Sequence, residues 1–449
     1  MNLLNIKMEP LATSKPSLHV RLSSNLATEY MASSYITLRC SNHSIQTITT
    51  LVTHKENIMY CSKGVYDALH LPYKPLHLLA AIVEDEVSLG PIIGIVTETS
   101  PNSDATFGSI TSFCRELLQT CEEKGAFAAI YSISDLLAED VKGYIACDEG
   151  WEYVSTPLPQ IVHNRIHSRK TENHHSFQEM TQVLAEKRIP FFNAHYLNKW
   201  FVFEKLKAIE HLKPYLPDTV LLRKKQDFID ALAMYPSIFI KPIHGSQGKH
   251  IFKVSKDEHN YLLDYTTFTQ PYSNEYETFY DLFEALYGQL KKQGFIIQQT
   301  IPLQTYKDCP FDFRLLCHKK NDLQWKLTSM VARVSQPNYF VSNLARGGDL
   351  YSPKVILESM YEKKHAKSIL VLLKELAIDI CHHLDAATAE SELYAEFGID
   401  LAIDQDGKPW IIEVNTKPSK QFQPEHVTTR PSTKALIDYC LYSFHSNGL

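Results

Sequence analysis

Three oxygen-bearing residues near the C-terminal end have a spacing that suits metal chemistry: Asp400, Glu413 and Asn415. They lie in Gly398-Ile-Asp-Leu-Ala-Ile-Asp-Gln-Asp-Gly-Lys-Pro-Trp-Ile-Ile-Glu-Val-Asn-Thr-Lys-Pro418, which reads as two strands around Asp406-Gly407. Asp-Gly is a strong hairpin signal, because a type I′ turn needs φ > 0 at both central residues. With those two residues central, Gln405 pairs with Lys408 and Asp400 falls opposite Glu413. Asn415, two residues on, shares their face. Carboxylates so placed have Cβ atoms about 5 Å apart and repel unless a cation sits between them. Two carboxylates and an amide oxygen suit a hard cation such as Mg²⁺. The competing reading is a solvated outer face. It fits poorly, because Trp410, Ile411, Ile412 and Val414 make the second strand apolar on both sides. Asp404 points the same way as Asp400 but lies about 13 Å along the strand, and reads as a solvated residue near the turn.

A second constellation is cationic. Lys241 ends the apolar strand Ile238-Phe-Ile-Lys-Pro242 and precedes the loop His244-Gly-Ser-Gln-Gly-Lys249. Backbone N–H groups of such a loop can approach phosphate closely. It is no Walker A motif: Ile243 and His250 stand where Gly and Ser or Thr are required, and strands flank it on both sides. In Pro310-Phe-Asp-Phe-Arg-Leu-Leu316, Asp312 and Arg314 share one face. Arg333 comes late on the returning strand, and Arg346 follows in the loop Ser342–Asp349. These arginines read either as a cluster of permanent cations or as ordinary salt-bridge partners of Asp312 and Asp349. His163 and His167 have i, i+4 spacing, but Pro157 and Pro159 favour a strand and loop, and no Cys or carboxylate completes a zinc set. Arg165 and Arg169 read better as anion contacts.

The elements that must position these groups follow the chain. At 449 residues it exceeds one ordinary core. Hydrophobic content of 44% and charged content of 21% fit a globular protein, and a net charge of −6 argues against nucleic acid or an anionic membrane as partner. Nine scattered Cys without a CxxC pair fit a reducing, cytoplasmic setting. No run is long enough for a membrane span, and the start lacks a signal-peptide pattern. The alternating stretches His19–Ser23, Tyr35–Cys40 and Ser44–Val52 predict a small β-rich domain over residues 1–86. Strand, helix (Phe107 to Lys124, closed by Gly125) and strand predict an α/β domain over 87–189. From 190 onward come helices over Tyr196–Leu212, Asp227–Met234, Asn274–Lys292 and Lys364–Ala387, with strands between them.

Taken in order, these pieces resemble the ATP-grasp superfamily, and within it the YheC/YheD family of endospore coat-associated proteins. The pieces are Asn164-Arg165, Phe192-Asn193, Lys199-Trp200, Lys241-Pro242, Gly245-Ser246, Gly248-Lys249, Gln298-Gln299, Asp312-Phe-Arg314, Ala332-Arg333, Asn343 with Gly347-Gly348, and Gly398-Ile-Asp400 with Glu413-Val-Asn415 and Lys417-Pro418. The resemblance implies an α+β, α/β fold: an ATP-grasp domain over 190–449 behind an α/β pre-ATP-grasp domain and the small N-terminal β domain. It implies that ATP and Mg²⁺, as two ions, bind here. Lys199 and Lys241 would meet phosphates, Gly245, Ser246, Gly248 and Lys249 would form the flap, and Gln298, Gln299, Ile301 and Asn343 would line the nucleotide site. Asp400, Glu413 and Asn415 would be the metal ligands, with Arg314 and Arg333 catalytic. The implied reaction is carboxylate–amine ligation through an acyl phosphate, releasing ADP, with carboxylate and amine substrates and spore coat proteins as partners. The alternatives are an ATP-binding coat assembly protein without turnover and a phosphotransferase. Two positions depart from the family pattern: His250 stands at a commonly glycine position, and Gln298–Pro302 carries no acid for the ribose.

Overall fold

The computed structural model describes residues 3–11, 18–26, 35–100, 106–245, 250–266, 271–335, 348–389, 392–420 and 429–446. Ser246, Gly248, Lys249, Asn343 and Arg346 lie outside them. The N-terminal strands close into a barrel: β1 (Leu3–Pro10), β2 (His19–Ser23), β3 (Tyr35–Cys40), β4 (His43–Val52), β5 (Ile58–Cys61), β6 (Leu76–Val83) and β7 (Glu86–Gly90), in the order β1-β5-β2-β4-β3-β7-β6. Closure follows from the alternation: Ile36, Leu38 and Cys40 point inward with Val20, Leu22, Leu78 and Ala80. The barrel runs on to Gly90, beyond the expected end at residue 86, because β7 is its link between β3 and β6.

The next sheet has β8 (Ile92–Val96), β9 (Phe127–Tyr131), β10 (Lys142–Cys147), β11 (Gly150–Ser155), β12 (Ile161–Asn164) and β13 (Phe191–Phe192), ordered β11-β10-β9-β8-β12-β13. Strands β9, β8, β12 and β13 are parallel, and β8 and β9 are buried along their whole length, as expected of strands covered on both faces. The helix Thr111–Glu123 covers one face, and the C-terminal helix Pro431–Ser446 packs beside it through Leu436, Ile437 and Cys440. This sheet therefore crosses the boundary expected at 189/190: β13 comes from one side of it and the C-terminal helix returns to it.

Two six-stranded antiparallel sheets follow. One has β14 (Thr219–Leu222), β15 (Ser237–Pro242), β16 (Phe252–Lys256), β17 (Tyr261–Thr266), β18 (Pro271–Tyr276) and β19 (Phe295–Gln299), ordered β14-β19-β15-β16-β17-β18. The expected helix over 274–292 is corrected here: 271–276 is a strand, and the helix runs Phe279–Leu290. Thr278 accepts a hydrogen bond from the Asp281 N–H and starts that helix, a cap signal the charge pattern obscured. The helix expected over 196–212 is likewise shorter, Lys199–Lys207, because Asn198 caps it through the Phe201 N–H.

The last sheet holds β20 (Thr305–Tyr306), β21 (Cys309–Asn321), β22 (Gln324–Val334), β23 (Asp349–Tyr351), β24 (Glu396–Ile403) and β25 (Pro409–Asn415), with order β23-β22-β21-β24-β25 and β20 beside β21. Phe311, Phe313, Leu315, Ala332, Ile399, Leu401, Ile411 and Val414 line one face. The helix Lys363–Thr388 covers it with Ile369, Leu373, Leu376, Ile380 and Leu384. Each such buried side chain stabilises the fold by about 1.5–3 kcal/mol. Period-2 alternation then leaves Asp312, Arg314, Arg333 and Asp400 on the opposite face.

The β24–β25 hairpin pairs Asp400 with Glu413, as the spacing predicts, but by another route. Only Gly407 has positive φ (79°), so the turn is not type I′. The Gly407 N–H bonds to the Asp404 carbonyl and the Asp404 N–H to the Lys408 carbonyl, closing a three-residue loop. Asp404 is no solvated bystander: its side chain accepts from the Asp406 and Lys408 N–H groups and from Trp410 Nε1. That loop pairs Leu401 with Ile411, one residue off the expected register. A bulge between Asp400 and Leu401 restores the register, so Ile411 and Val414 both reach the core while Glu413 stays opposite Asp400.

Gly407 is therefore a specific weak point. A Cβ there would sit 3.2 Å from Ile369 Cδ1 as well as forcing positive φ. Gly407→Ala is expected to cost about 1 kcal/mol or somewhat more, and Gly407→Asn less, because Asn tolerates the left-handed region. Thermal melting of the two variants beside wild type checks the ranking.

Candidate functional site

The charged face of the last sheet is built from cross-strand partners. Arg314 lies opposite Asp400, and Arg333 lies opposite Asp312. Arg314 is bidentate on Asp400, with Nη2 at 2.8 Å from Oδ2 and Nε on Oδ1. Arg333 is bidentate on Asp312 at 2.6 and 2.5 Å and also reaches Asp400 Oδ2 at 3.2 Å. Opposite charges directly across an antiparallel ladder need no long reach, so both pairs form bidentate contacts. Burial opposes the charge of Asp400, but Arg314 and Arg333 outweigh it and hold the carboxyl below its usual range. Burial likewise opposes the charge of Arg333, and Asp312 and Asp400 override it, leaving the guanidinium more firmly protonated than usual. Asn415 Nδ2 lies 3.4 Å from Asp400 Oδ2. The arginines are thus both a cation cluster and salt-bridge partners of Asp312. Asp349 sits exposed at the start of β23.

The other cations arrive from neighbouring elements. Lys199 opens its helix; its Nζ is 2.7 Å from Glu413 Oε1 and 3.0 Å from the Gly245 carbonyl, and its N–H bonds the Ile243 carbonyl. The glycine loop leaves β15 at Pro242, and a Cβ on Gly245 would meet Pro242 Cγ at 2.6 Å, so only glycine fits that approach. Beyond the loop His250 has φ 55°, the left-handed conformation in which the sequence pattern commonly has glycine. Lys241 bonds Gln298 Oε1 at 2.5 Å. Burial drives its amine down to about 8, partly countered by Glu413 and deepened by Lys199. Gln298 is itself held by Thr219 Oγ1. The Gln299 side chain accepts from the Asp218 N–H, and its own N–H bonds the Asp218 carbonyl. Ile301 is nearly buried, and its carbonyl accepts from Leu303.

A group of residues around Glu396 supports the site and was only partly visible in the sequence. Glu396, fully buried at the start of β24, binds Lys420, His318 Nε2 at 3.0 Å and Arg165 Nη1 at 3.3 Å. Arg165 also bonds the Pro418 carbonyl at 3.1 Å. Lys417 pairs with Glu172 and reaches the Ile166 carbonyl. Asn193, at φ 58°, ties the Glu396 and Thr416 carbonyls together through Nδ2. These contacts fix both ends of the hairpin to the parallel sheet. Glu172, Glu396 and Lys420 belong to no motif of the sequence; their one local signal is a carboxylate inside the apolar run Tyr394–Ile399. Arg165 is thus spent within the fold. Arg169 instead stacks on Tyr196 at 4.6 Å and bonds His244 Nδ1 at 3.0 Å. His163 and His167 do not converge: His163 is buried and stacked on Phe192, while His167 faces outward.

Arg314, Arg333, Lys199 and Lys241 thus surround Asp400, Glu413 and Asp312, leaving the site cationic. The oxygen-only set Asp400, Glu413 and Asn415 fits a hard divalent ion, and the surplus of bases fits a polyphosphate.

The family described as YheC/D like ATP-grasp matches residues 188–442. The chain is similar to the endospore coat-associated protein YheD of Bacillus subtilis (strain 168), 25% identical over 379 residues, 82% of this chain and 81% of that protein. It is 20% identical to YheC of the same organism over 298 residues, covering 64% and 78% of the two chains. Among solved structures it resembles D-alanyl-alanine synthetase A from Vibrio cholerae (TM-score 0.47, 14% identity, 80% and 99% coverage) and D-cycloserine synthetase DcsG (TM-score 0.47, 12% identity, 77% and 99% coverage). No helix among the described residues is long and apolar enough to cross a membrane.

Burial of Lys241 links stability to pH. Its folded pKa of about 8 lies below the ordinary 10.5, so the folded state releases a proton that the unfolded chain keeps. The burial cost is fully present below about pH 8, and stability rises from there towards 10.5. Lys241→Met is expected to raise the melting temperature at neutral pH and to weaken nucleotide binding. Wild-type affinity for ADP should fall as pH climbs through 8, while the variant's stays flat; calorimetric titration across that range checks both.

Proposed function

The chain belongs to the YheC/D-like ATP-grasp family, and on that premise we propose that it is a Mg-ATP-dependent carboxylate–amine ligase. The observation that carries this reading is the row Arg314–Asp400–Glu413 across three adjacent strands, with Lys199 bridging Glu413 to the glycine loop. In this reading Lys199, Lys241 and the loop Gly245–Lys249 hold the ATP phosphates, with Gln298 keeping Lys241 in place. The stretch Gln299–Ile301 offers backbone to the adenine, and Asn343 belongs to the same site. Asp400, Glu413 and Asn415 hold two Mg²⁺ ions, which when bound neutralise charge on the phosphates. The phosphates take over Lys199 from Glu413, so cation and carboxylate exchange partners without leaving either bare.

The substrate carboxylate oxygen attacks the γ-phosphorus, the bond to the β-phosphate oxygen breaks, and ADP leaves. An amine nitrogen then attacks the acyl carbon, and phosphate leaves with the former carboxylate oxygen. Arg314 and Arg333 would bind the oxygens on which negative charge develops, sharing with them the forks that hold Asp400 and Asp312. Arg169, stacked on Tyr196 beside the loop, suits the incoming carboxylate. The names of both relatives, endospore coat-associated proteins, support placing the reaction in spore coat or envelope maturation. The rival reading is an assembly protein that binds ATP without turnover.

Glu413→Gln is nearly isosteric and removes one charge from the opposed pair. It is expected to retain the fold, lose the thermal shift that Mg-ATP gives wild type, and abolish ADP release. The assay is a screen of carboxylate and amine pools with products resolved by mass. Chromatography of the spent nucleotide should show ADP; AMP with pyrophosphate would remove the acyl-phosphate route.

Arg333→Ala is a poor probe of turnover, because it strands Asp312 and Asp400 at a cost of about 3–5 kcal/mol. Arg333→Lys keeps the charge and loses the fork. For a ligase it should lower kcat by about 10²-fold with little change in ATP affinity. For an ATP-binding scaffold it should change affinity alone, and wild type should release no more ADP than Glu413→Gln across the whole screen.

A further inference from the structure

His211, Asp379 and His383, none of them among the residues around Asp400, converge beside the helix Lys363–Thr388. His211 Nε2 lies 2.6 Å from Asp379 Oδ2, and His383 Nε2 lies 3.4 Å from Asp379 Oδ1. One ligand atom from each residue lies within 4.8 Å of the other two. We propose that these three side chains form a binding site for a transition-metal dication, with Zn²⁺ the ion it fits best.

The scaffold is preorganised. Asp379 and His383 are i, i+4 on the 26-residue helix Lys363–Thr388, so they share a face one turn apart. His211 stands in the turn that follows the helix Lys199–Lys207. Leu212 beside it is buried in the same core cluster as Leu376, Ala377 and Ile380, and Ile209 packs against that cluster. The turn is therefore fixed against the helix that carries the other two ligands. Tetrahedral zinc with bonds of about 2.0–2.2 Å needs ligand atoms about 3.3 Å apart. The three atoms already lie within 4.8 Å of one another, and two of the separations are 2.6 and 3.4 Å.

The donor set separates this site from the Asp400 set. Two imidazoles and one carboxylate favour Zn²⁺, Co²⁺, Ni²⁺ or Cu²⁺, whereas the oxygen set favours Mg²⁺. His211 is 65% exposed, so water can occupy a fourth position. A bound ion would clip the turn to the core helix at the point where the chain leaves the Lys199 helix for β14. It would brace the connection between the last sheet and the sheet that carries Lys241. The bland alternative is a pair of imidazole–carboxylate hydrogen bonds with no ion.

The full chain, stripped with chelator and dialysed, is titrated with ZnCl₂ by calorimetry, and CoCl₂ is followed by visible absorption. One equivalent should bind, with the absorption of a tetrahedral site, and excess MgCl₂ should not compete. Zn²⁺ should raise the melting temperature. His211→Ala, His383→Ala and Asp379→Asn should each weaken binding at least about tenfold and abolish the thermal shift. All three side chains reach the surface, so the metal-free variants should melt like wild type. Absence of saturable zinc binding, or binding that all three variants retain, overturns the site.

Discussion

The constraint on which the site depends is the cost of holding carboxylates side by side in a partly buried place. Asp400 faces Glu413 on one side and lies on the same sheet face as Asp312. Unpaired, such charges would cost several kcal/mol each. Arg314 and Arg333 fork onto two of them and Lys199 meets the third. Because each base comes from a different strand or helix, the charges can be satisfied only when β21, β22, β24, β25 and the Lys199 helix are all in place. Charge compensation here specifies geometry more than it adds stability.

That requirement spreads outward. The two ends of the hairpin are tied to the parallel sheet by Asn193, Arg165 and the pairs Lys420–Glu396 and Lys417–Glu172. Burial pushes Lys417 and Lys420 down to about 8, and their carboxylate partners offset part of that cost. A buried acid that gathers three basic side chains makes a joint in which any displaced member leaves a charge behind. The parallel sheet and the last sheet are thereby one platform, while the sheet carrying Lys241 and the glycine loop attaches through Lys199, Ile243 and the bridge between Leu303 and Asp404.

Particular residues show why some features were legible and others were not. The strands of the last sheet were readable because period-2 alternation puts Phe311, Phe313 and Leu315 on one face and Asp312 and Arg314 on the other. The Asp400–Glu413 pairing was also readable, though the turn was mistaken. A three-residue loop moved the register by one, and the bulge at Asp400 moved it back. The helix expected from Asn274 begins instead at Phe279, because Asn274–Tyr276 belong to the strand Pro271–Tyr276, whose pairing with Tyr261–Thr266 is a contact no local pattern carries.

The sequence by itself determined the local chemistry: which residues carry charge, which face of each strand they share, and the order of motifs that places the chain in its family. These depend on side-chain type and on the backbone period, both local properties. Tertiary structure alone decided the partners. It gave Arg333 to Asp312, spent Arg165 on Glu396, turned Gln299 towards Asp218, and left Arg169 beside the glycine loop. It also closed the barrel at β7 and carried the C-terminal helix back to the parallel sheet. The physical reason is the same in each case. A buried charge or an open sheet edge must find a partner somewhere in the molecule, and the partner's distance along the chain leaves no trace in its neighbours.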